Sequence, residues 1–290
     1  RRPSDERLDQ LMDVFLNGEW IPEEQATVSA FDRGFLYGDG VFETVRVYQG
    51  HAFLLGRHLG RLAHGLSGLH IEDPYSFDEW TAHCRELIAR NKVSDGILRL
   101  YITRGTGKRG YSSMGCSSPT VLISPHDAPP VADPKTRVDI ITAAGILSDH
   151  DPLSTFKTAN KLVNIIAMRE AERAEVHDAL LLNRNGHATE TAASNIFAVA
   201  ENVLRTPPLA SGCLGGITRG FVLELAADLG IRTAQCDLPH EELRLADGLF
   251  LTNSVREIQP IATLDGHLIK QSPLTLKLQE TYRERVQSAL

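Results

Sequence analysis

Residues 40–55 of the chain have the sequence GVFETVRVYQGHAFLL. β-Branched and aromatic residues dominate both halves of this stretch, and Gln49 and Gly50 separate the halves, which is the pattern of two antiparallel strands joined by a turn. Residues 13–21, DVFLNGEWI, show the same pattern around an Asn-Gly pair. We therefore predict that hairpins of an antiparallel sheet form the first part of the fold.

The segments after these hairpins predict two helices and a further strand. HLGRLAHGLSGL (58–69) and FDEWTAHCRELIARN (77–91) carry apolar residues at helical spacing, whereas ILRLYITRG (97–105) has strand character. Because strands and helices form separate groups here, the predicted class of this part is α+β.

The second half of the chain predicts strands and helices in alternation. Residues 159–176 are predicted to be helical, with Leu162, Ile165, Ile166 and Ala167 close to one face. Further helices are predicted over 217–230 and 274–289, and strands over 137–144, 178–183, 194–207 and 248–255. This order fits two α/β lobes with a cleft between them, where small ligands commonly bind.

A proline-rich stretch separates the two halves. PHDAPPVADPK, residues 125–135, holds four of the 14 prolines of the chain in a short polar segment. Such a composition is typical of a linker between lobes. We predict an N-terminal α+β domain over residues 1–124, a linker over 125–135 and a second domain over 136–290.

Charge and composition narrow the possible classes of function. The chain has 290 residues, and its 30 basic and 37 acidic residues give a net charge of -7, which offers no general attraction to nucleic acid or to an anionic membrane. No apolar run reaches the roughly 18 to 20 residues that cross a bilayer. The first segment, RRPSDERLDQLM, lacks the apolar stretch of a secretory signal. A cytoplasmic enzyme with a small-molecule substrate is the expectation.

The four cysteines, Cys84, Cys116, Cys213 and Cys236, lie far apart and lack the paired spacing of a zinc site or a redox motif. We expect reduced thiols and no metal.

Lys157 is the first candidate for chemistry, in the stretch LSTFKTANKLVNIIA (153–167). It follows a phenylalanine and precedes an amphipathic helix, an edge at which an amine is partly desolvated. A desolvated amine loses its proton more easily and can form a Schiff base with an aldehyde. Lys161 competes for this role on sequence grounds, and most lysines at such positions are simply solvated.

Glu190 is the second candidate, since it stands between two threonines at the start of a strand pattern in HATETAASNIF (187–197). A carboxylate beside a pyridine nitrogen keeps that nitrogen protonated and makes the ring an electron sink. The alternative is a turn glutamate that faces water.

A phosphate site is predicted at the start of the helix over 217–230. In GGITRGFVLEL a glycine pair precedes Ile217 and Thr218, so backbone N–H groups, the helix dipole and the Thr218 hydroxyl can bind an anion together. Arg61, in RHLGRL, is a candidate partner because a guanidinium binds phosphate oxygens in a fork. Taken alone, the helix start is equally compatible with an ordinary N-cap.

In this order the segments resemble the fold type IV pyridoxal-phosphate enzymes, which include branched-chain aminotransferases, D-amino acid aminotransferases and 4-amino-4-deoxychorismate lyases. The resemblance runs from about Phe15 to about Leu264. It is carried by the following stretches: FDRGFLYGDGVFETVRVYQG, HLGRL, Lys-x-x-Asn before a helix, ATETAASNIF, GGITR and LADGLFLTNSVREIQPI. The resemblance implies the two-lobed fold of the D-amino acid aminotransferase type, with residues 136–290 as the cofactor-binding domain.

The resemblance also assigns roles to the candidate residues. Lys157 matches the lysine that holds pyridoxal 5'-phosphate as a Schiff base and moves a proton from the substrate. Glu190 matches the carboxylate at the pyridine nitrogen. Arg61, Ile217 and Thr218 match the phosphate site, and Asn195 and Ser254 are further matches. The family implies a homodimer.

The residues implied for substrate binding are Tyr37, Phe42, Thr44, Arg99, Arg109 and Asn253. Arg109, in RLYITRGTGKRGYSS, falls where the relatives hold a substrate carboxylate. A tyrosine five residues beyond the lysine is usual in the branched-chain enzymes, and this chain has Leu162 there, so Lys-x-x-Asn-x-Leu looks more like the D-amino acid enzymes and the lyases. Thr44 and the TNSV stretch that contains Asn253 look like the lyase.

Two reactions therefore stay open. The first is transfer of an amino group between an amino acid, or an amine, and a 2-oxo acid; the second is elimination of pyruvate from aminodeoxychorismate to give 4-aminobenzoate. Transamination is preferred because GGITRG and residues 37–46 are shared widely by transaminases. A scaffold without chemistry is disfavoured, since the lysine, the glutamate and the phosphate site are all present.

Overall fold

The computed structural model describes residues 12–130, 133, 135–149 and 151–290. The chain divides into two compact units. The first comprises the described residues up to Ala128 together with Phe156–Asn160 and Leu290, and the second comprises Pro129–Thr155 and Lys161–Ala289. Lys157 therefore belongs to the first unit, although the linker predicted over 125–135 precedes it in sequence. That linker stays a prediction.

The first unit is a six-stranded antiparallel sheet with helices on one face. Its elements are β1 (Asp13–Leu16), β2 (Glu19–Pro22), a 3-10 turn (Glu23–Gln25), α1 (Arg33–Tyr37), β3 (Gly40–Tyr48), β4 (His51–Ala52), α2 (Leu55–Gly68), α3 (Phe77–Arg90), β5 (Gly96–Thr103) and β6 (Thr120–His126). The strand order is β2-β1-β6-β5-β3-β4. Both predicted hairpins form, and the α+β arrangement of this part is confirmed.

Strand periodicity separates the two faces of this sheet. In β3 the residues Val41, Val45 and Val47 point into a core that also contains Leu59 and Leu62 of α2. Phe42, Thr44 and Arg46 alternate with them and so lie on the opposite face. The apolar face of the sheet thus packs against the helices, and the opposite face carries the candidate residues Phe42 and Thr44.

The second unit is built on a nine-stranded sheet. Its elements are β7 (Val138–Ile146), a 3-10 turn (Pro152–Thr155), α4 (Leu162–Arg173), β8 (Asp178–Leu182), β9 (Ala188–Thr191), β10 (Asn195–Ala200), β11 (Val203–Thr206), a 3-10 turn (Leu209–Ser211), α5 (Ile217–Asp228), β12 (Arg232–Gln235), α6 (His240–Leu243), β13 (Gly248–Asn253), β14 (Glu257–Leu264), β15 (His267–Leu268) and α7 (Pro273–Ser288).

The strand order is β12-β11-β10-β13-β14-β7-β8-β9, and β15 pairs with β14. The six strands from β10 to β9 form a closed ring, because β9 pairs with β10 as well as with β8. The pair that closes it is Glu190 with Asn195. Buried aliphatic side chains fill this closed sheet, among them Ile140, Ile196 and Ile261. Closure of the ring places two candidate residues directly opposite each other.

Helix α4 differs from its prediction in the face that it buries. Ala167 and Ala171 pack against β7 and β8, whereas Leu162, Ile165 and Ile166 are each more than half exposed. Small side chains allow the helix backbone to approach the sheet closely, so the alanines lie inward and the larger side chains lie outward.

Candidate functional site

Lys157 lies on a short extended segment beside the start of β3. The backbone N–H of Phe42 donates to the carbonyl of Lys157 at 3.0 Å, and Ala159 donates to the carbonyl of Gly40 at 2.8 Å. Thr158 forms an isolated bridge with Val41. Two hydrogen bonds to β3 hold the main chain at the carbonyl of Lys157 and at the N–H two residues later, so the lysine side chain is presented from a fixed backbone.

The Phe42 ring brings Lys157 and Arg99 together. The Nζ of Lys157 lies 4.5 Å from the ring centroid, and the Cζ of Arg99 lies 4.3 Å from it. Tyr101 stacks on Phe42 with the centroids 6.2 Å apart. Thr44 lies opposite Arg99 in the register of β3 and β5, on this same face. Four of the predicted residues are therefore neighbours, and two cations meet one aromatic ring.

Arg46 is a residue of this face that sequence reasoning missed. It is 4% exposed, and within the described part of the chain its Nε and Nη1 atoms have no hydrogen-bond partner. Burial of unsatisfied donors is unfavourable, so such a group calls for an explanation. The signal in the sequence is its spacing of two and four residues from Thr44 and Phe42, which places it on their face of β3.

Arg61, on α2, is held by the carboxylate of Glu43. Its Nε and Nη2 donate to the two Glu43 oxygens at 2.7 and 2.8 Å, and the Nδ1 of His58 lies 2.7 Å from Glu43. Burial opposes ionisation of Glu43, but hydrogen bonds from Arg61 and His58 lower its pKa to about 2. An ionised carboxylate only accepts, so His58 carries its proton on Nδ1. Burial lowers the pKa of His58.

Tyr37 and Arg109 belong to a second part of the first unit. Arg109 is exposed on the loop between β5 and β6, and the backbone N–H of Gly110 donates to the Tyr37 hydroxyl at 3.1 Å. The two residues are thus linked through the main chain next to Arg109.

In the second unit, Glu190 and Asn195 are tied to the loop that precedes α5. The N–H of Leu214 donates to a Glu190 carboxylate oxygen at 2.9 Å, and the Asn195 amide donates to the Leu214 carbonyl at 2.8 Å. The main-chain N–H and carbonyl of Leu214 are therefore both hydrogen-bonded, by two side chains from adjacent strands. This arrangement fixes the orientation of the carboxylate and the position of the loop.

The start of α5 is close to Asn195 and has the features of an anion site. A Cβ on Gly216 would lie 1.9 Å from the Asn195 Oδ1, so any larger residue there would have to displace that amide. Among the described residues no side chain caps this helix, which begins at Ile217. Uncapped N–H groups and the helix dipole favour an anion. Thr218 is 3% exposed, and its neighbour Arg219 is also buried.

Asn253 shapes the turn that contains Ser254. Its Oδ1 accepts from the N–H groups of Val255 and Arg256 at 3.0 and 2.7 Å, and its Nδ2 donates to the Ser194 Oγ at 2.9 Å. These bonds give Asn253 a structural role in the turn, in addition to the predicted role in substrate binding.

Lys161, the competing lysine, lies at the N-cap of α4 in the second unit. In the described residues, no cluster of three or more His, Cys, Asp or Glu could hold a metal ion. The described helices include none that is long and apolar enough to span a membrane.

Comparison with protein families matches residues 40–264 to the model described as amino-transferase class IV. A protein of Methanocaldococcus jannaschii named "Putative branched-chain-amino-acid aminotransferase" is 35% identical over 94% of this chain and 96% of its own. D-alanine aminotransferase of Bacillus licheniformis is 30% identical over 96% of this chain and 98% of its own. Aminodeoxychorismate lyase of Bacillus subtilis is 31% identical over 96% of each.

Solved structures agree with this result. The branched-chain amino acid aminotransferase of Escherichia coli superposes with a TM-score of 0.90 at 27% identity, covering 95% of this chain and 94% of its own. A T.th. branched-chain amino acid aminotransferase complexed with N-(5'-phosphopyridoxyl)-L-glutamate has a TM-score of 0.88 at 25% identity, over 95% and 94% of the two chains. The two-lobed fold predicted from the sequence is thereby confirmed.

Proposed function

This chain belongs to the class IV aminotransferase family, and we propose that it transfers an amino group between an amino acid and a 2-oxo acid with pyridoxal 5'-phosphate held at Lys157. The observation that carries the proposal is the placement of Lys157, whose backbone is hydrogen-bonded to β3 and whose Nζ lies over Phe42. When bound, the cofactor supplies an electron sink for the charge that develops at the substrate α-carbon. Nζ of Lys157 is the base that takes the α-proton.

The chain offers a fitting set of groups for the rest of the cofactor. The uncapped start of α5, with Ile217 and Thr218, and the guanidinium of Arg61 would hold the phosphate. Glu190, oriented by the N–H of Leu214, would accept a hydrogen bond from the protonated ring nitrogen. Gly216 lies against Asn195, and its lack of a side chain leaves space at the start of α5. Ser254 stays a further candidate for this phosphate site.

Substrate carboxylates would bind to the cationic face of the first sheet and to Arg109. Arg46 has two buried donors that require an acceptor, and Arg99 lies on the same face. Burial lowers the pKa of Arg99, but a guanidinium stays charged in proteins. Two arginines on one face fit substrates that are themselves acids, and Phe42, Thr44 and Asn253 are proposed to border the same substrate.

Two lysine variants test the proposal. Lys157→Ala should abolish the visible absorption of bound cofactor and lower transamination by at least about a thousandfold. Lys161→Ala is the matched control and should keep both the absorption and the turnover. The reverse result would assign the chemistry to Lys161, and wild-type protein that transfers no amino group to any 2-oxo acid would overturn the proposal.

Elimination of pyruvate from aminodeoxychorismate is the second candidate function. It is favoured by the 31% identity to the Bacillus subtilis lyase and by Thr44, which lies beside Phe42 on the candidate face. Incubation with aminodeoxychorismate and no 2-oxo acid separates the two, because only the lyase then releases pyruvate.

We also propose a homodimer in the cytoplasm. Leu162, Val163, Ile165 and Ile166 of α4 are exposed, and contiguous apolar surface on a protein is typical of an interface. Sedimentation of the purified protein tests the dimer.

A further inference from the structure

The loop between β5 and β6, residues 104–119, carries Arg109 and is clamped at its base by Asp32. One Asp32 oxygen accepts from the hydroxyls of Thr103 and Thr120 at 3.0 and 2.6 Å, so a single carboxylate joins the strand ends on both sides of the loop. Asp32 also bridges Thr106. The base of the loop is therefore closed by a fully buried side chain.

Arg33, the next residue, clamps the tip of the same loop. Its Nη1 donates to the carbonyls of Gly110 and Ser112 at 2.9 and 3.3 Å, and its Nη2 donates to the carbonyl of Tyr111 at 3.2 Å. These are the three residues directly after Arg109. Because Gly110 also donates to the hydroxyl of Tyr37, both its N–H and its carbonyl are held.

The surroundings of Arg33 keep its side chain buried beneath the loop and out of solvent. The residue is 4% exposed, its Cζ lies 4.9 Å from the Tyr37 ring, and a Cβ on Gly107 would lie 3.1 Å from its Cδ. The loop therefore packs closely around the arginine stem. Main-chain carbonyls are neutral acceptors, so the positive charge of Arg33 needs a separate partner.

That partner is Asp39. Its Oδ2 accepts from the Nε of Arg33 at 2.8 Å and from the Nε of Arg104 at 2.8 Å. Burial opposes ionisation of Asp39, but the hydrogen bonds from Arg104 and Arg33 lower its pKa. Arg104 differs from Arg33 in its other contacts, because it donates to the carbonyls of Leu69 and His70 and not to the loop tip.

We propose that Arg33 is a positioning residue for substrate recognition, whose guanidinium fork fixes the main chain of residues 110–112 and so presents Arg109 to the substrate carboxylate. The inference rests on the proposed function, in which Arg109 binds that carboxylate. A fork is required, since three carbonyls on successive residues accept from two nitrogens of one planar group. A lysine in this place keeps the charge beside Asp39 but reaches fewer of the carbonyls.

Arg33→Lys tests the proposal, with Arg104→Lys as a control that perturbs the same carboxylate. For Arg33→Lys the KM of the amino donor and of the 2-oxo acid should rise about tenfold while kcat changes less than about threefold, because a loose loop weakens binding and leaves the Lys157 chemistry intact. Arg104→Lys should keep KM within about twofold, because the carbonyls that Arg104 contacts are those of Leu69 and His70. Equal effects of the two variants would overturn the proposal.

A readout independent of catalysis is limited digestion with trypsin, which cleaves after Lys108 and Arg109. Arg33→Lys should be cut there at least about fivefold faster than wild type and than Arg104→Lys, since local opening exposes the loop. An unchanged cutting rate would overturn the positioning role whether or not the enzyme is active.

A double mutant separates this inference from the role of Arg109. Arg109→Gln should raise KM by itself, and Arg33→Lys should add nothing further in that background. If Arg109→Gln leaves KM unchanged, the proposed role of Arg109 is wrong. If it raises KM and Arg33→Lys multiplies the effect, Arg33 acts elsewhere and the positioning role is wrong.

Discussion

The two units hold their candidate residues in different ways. In the first unit, Lys157 is held through its main chain, but ionised side chains position the candidate arginines, as Glu43 does for Arg61 with hydrogen bonds of 2.7 and 2.8 Å. In the second unit, Glu190 and Asn195 are positioned through the main chain of Leu214 and a close approach at Gly216. The first unit should therefore respond to pH and to charge removal, and the second to backbone conformation and added volume.

Glu43→Gln should have the largest effect, because it leaves Arg61 without its buried counter-ion. We expect the free energy of unfolding at neutral pH to fall by about 3 kcal/mol. A carboxylate with its pKa lowered from 4.5 to about 2 stabilises the fold above its unfolded pKa and loses that contribution as the pH falls through this range. In denaturant unfolding, the difference in free energy of unfolding between wild type and variant should shrink as the pH is lowered from about 5 to about 3. A difference that does not change with pH would contradict the conclusion that Glu43 is ionised in the folded protein.

Gly216→Ala should come second and act through volume rather than charge. Its Cβ would lie 1.9 Å from the Asn195 Oδ1 and 3.3 Å from the Cβ of Arg219. We expect a loss of about 2 kcal/mol in stability, with weaker binding of pyridoxal 5'-phosphate measured by fluorescence titration. Gly220→Ala is the matched control, since nothing lies within 4 Å of its added Cβ, and its helical position should make it neutral or stabilising. Equal losses in the two variants would refute the steric explanation.

Asn253→Ala should have a smaller effect, of about 1 to 2 kcal/mol, because it removes the acceptor for two turn N–H groups. Asn253→Asp keeps that acceptor and loses only the amide donor to Ser194 and Ala193. Thermal unfolding should place the aspartate variant between wild type and alanine. An aspartate variant as unstable as alanine would show that the donor, and not the acceptor, dominates.

Arg285→Gln should have the smallest effect. Its guanidinium pairs with Asp228 at 2.7 Å, but both side chains are about half exposed. Exposed pairs contribute little, so we expect less than about 0.5 kcal/mol by the same unfolding assay. If Arg285→Gln lowered the free energy of unfolding as much as Glu43→Gln, burial would not explain how much an ion pair contributes in this protein.

Much of the local structure was predictable from sequence periodicity. Both hairpins and the helices α2, α3 and α5 form where the pattern predicted them. The buried face of α4 was not predictable, because the choice between Ala167 and Ile166 depends on how closely the helix approaches the sheet. Arg46 was not predicted as a candidate, because the sequence alone does not reveal whether an arginine in a strand is buried.

The sequence by itself determined the family and the identity of the candidate groups, since residue type and order specify which chemistry is possible and which strands and helices form. Only the tertiary structure decided that Lys157 pairs with β3, that Glu43 is the counter-ion of Arg61, and that Arg33 holds the loop of Arg109. These contacts join residues that are distant in the chain. Their geometry depends on how closed sheets and buried charges pack in three dimensions, and the short-range patterns of a sequence carry no distances between such residues.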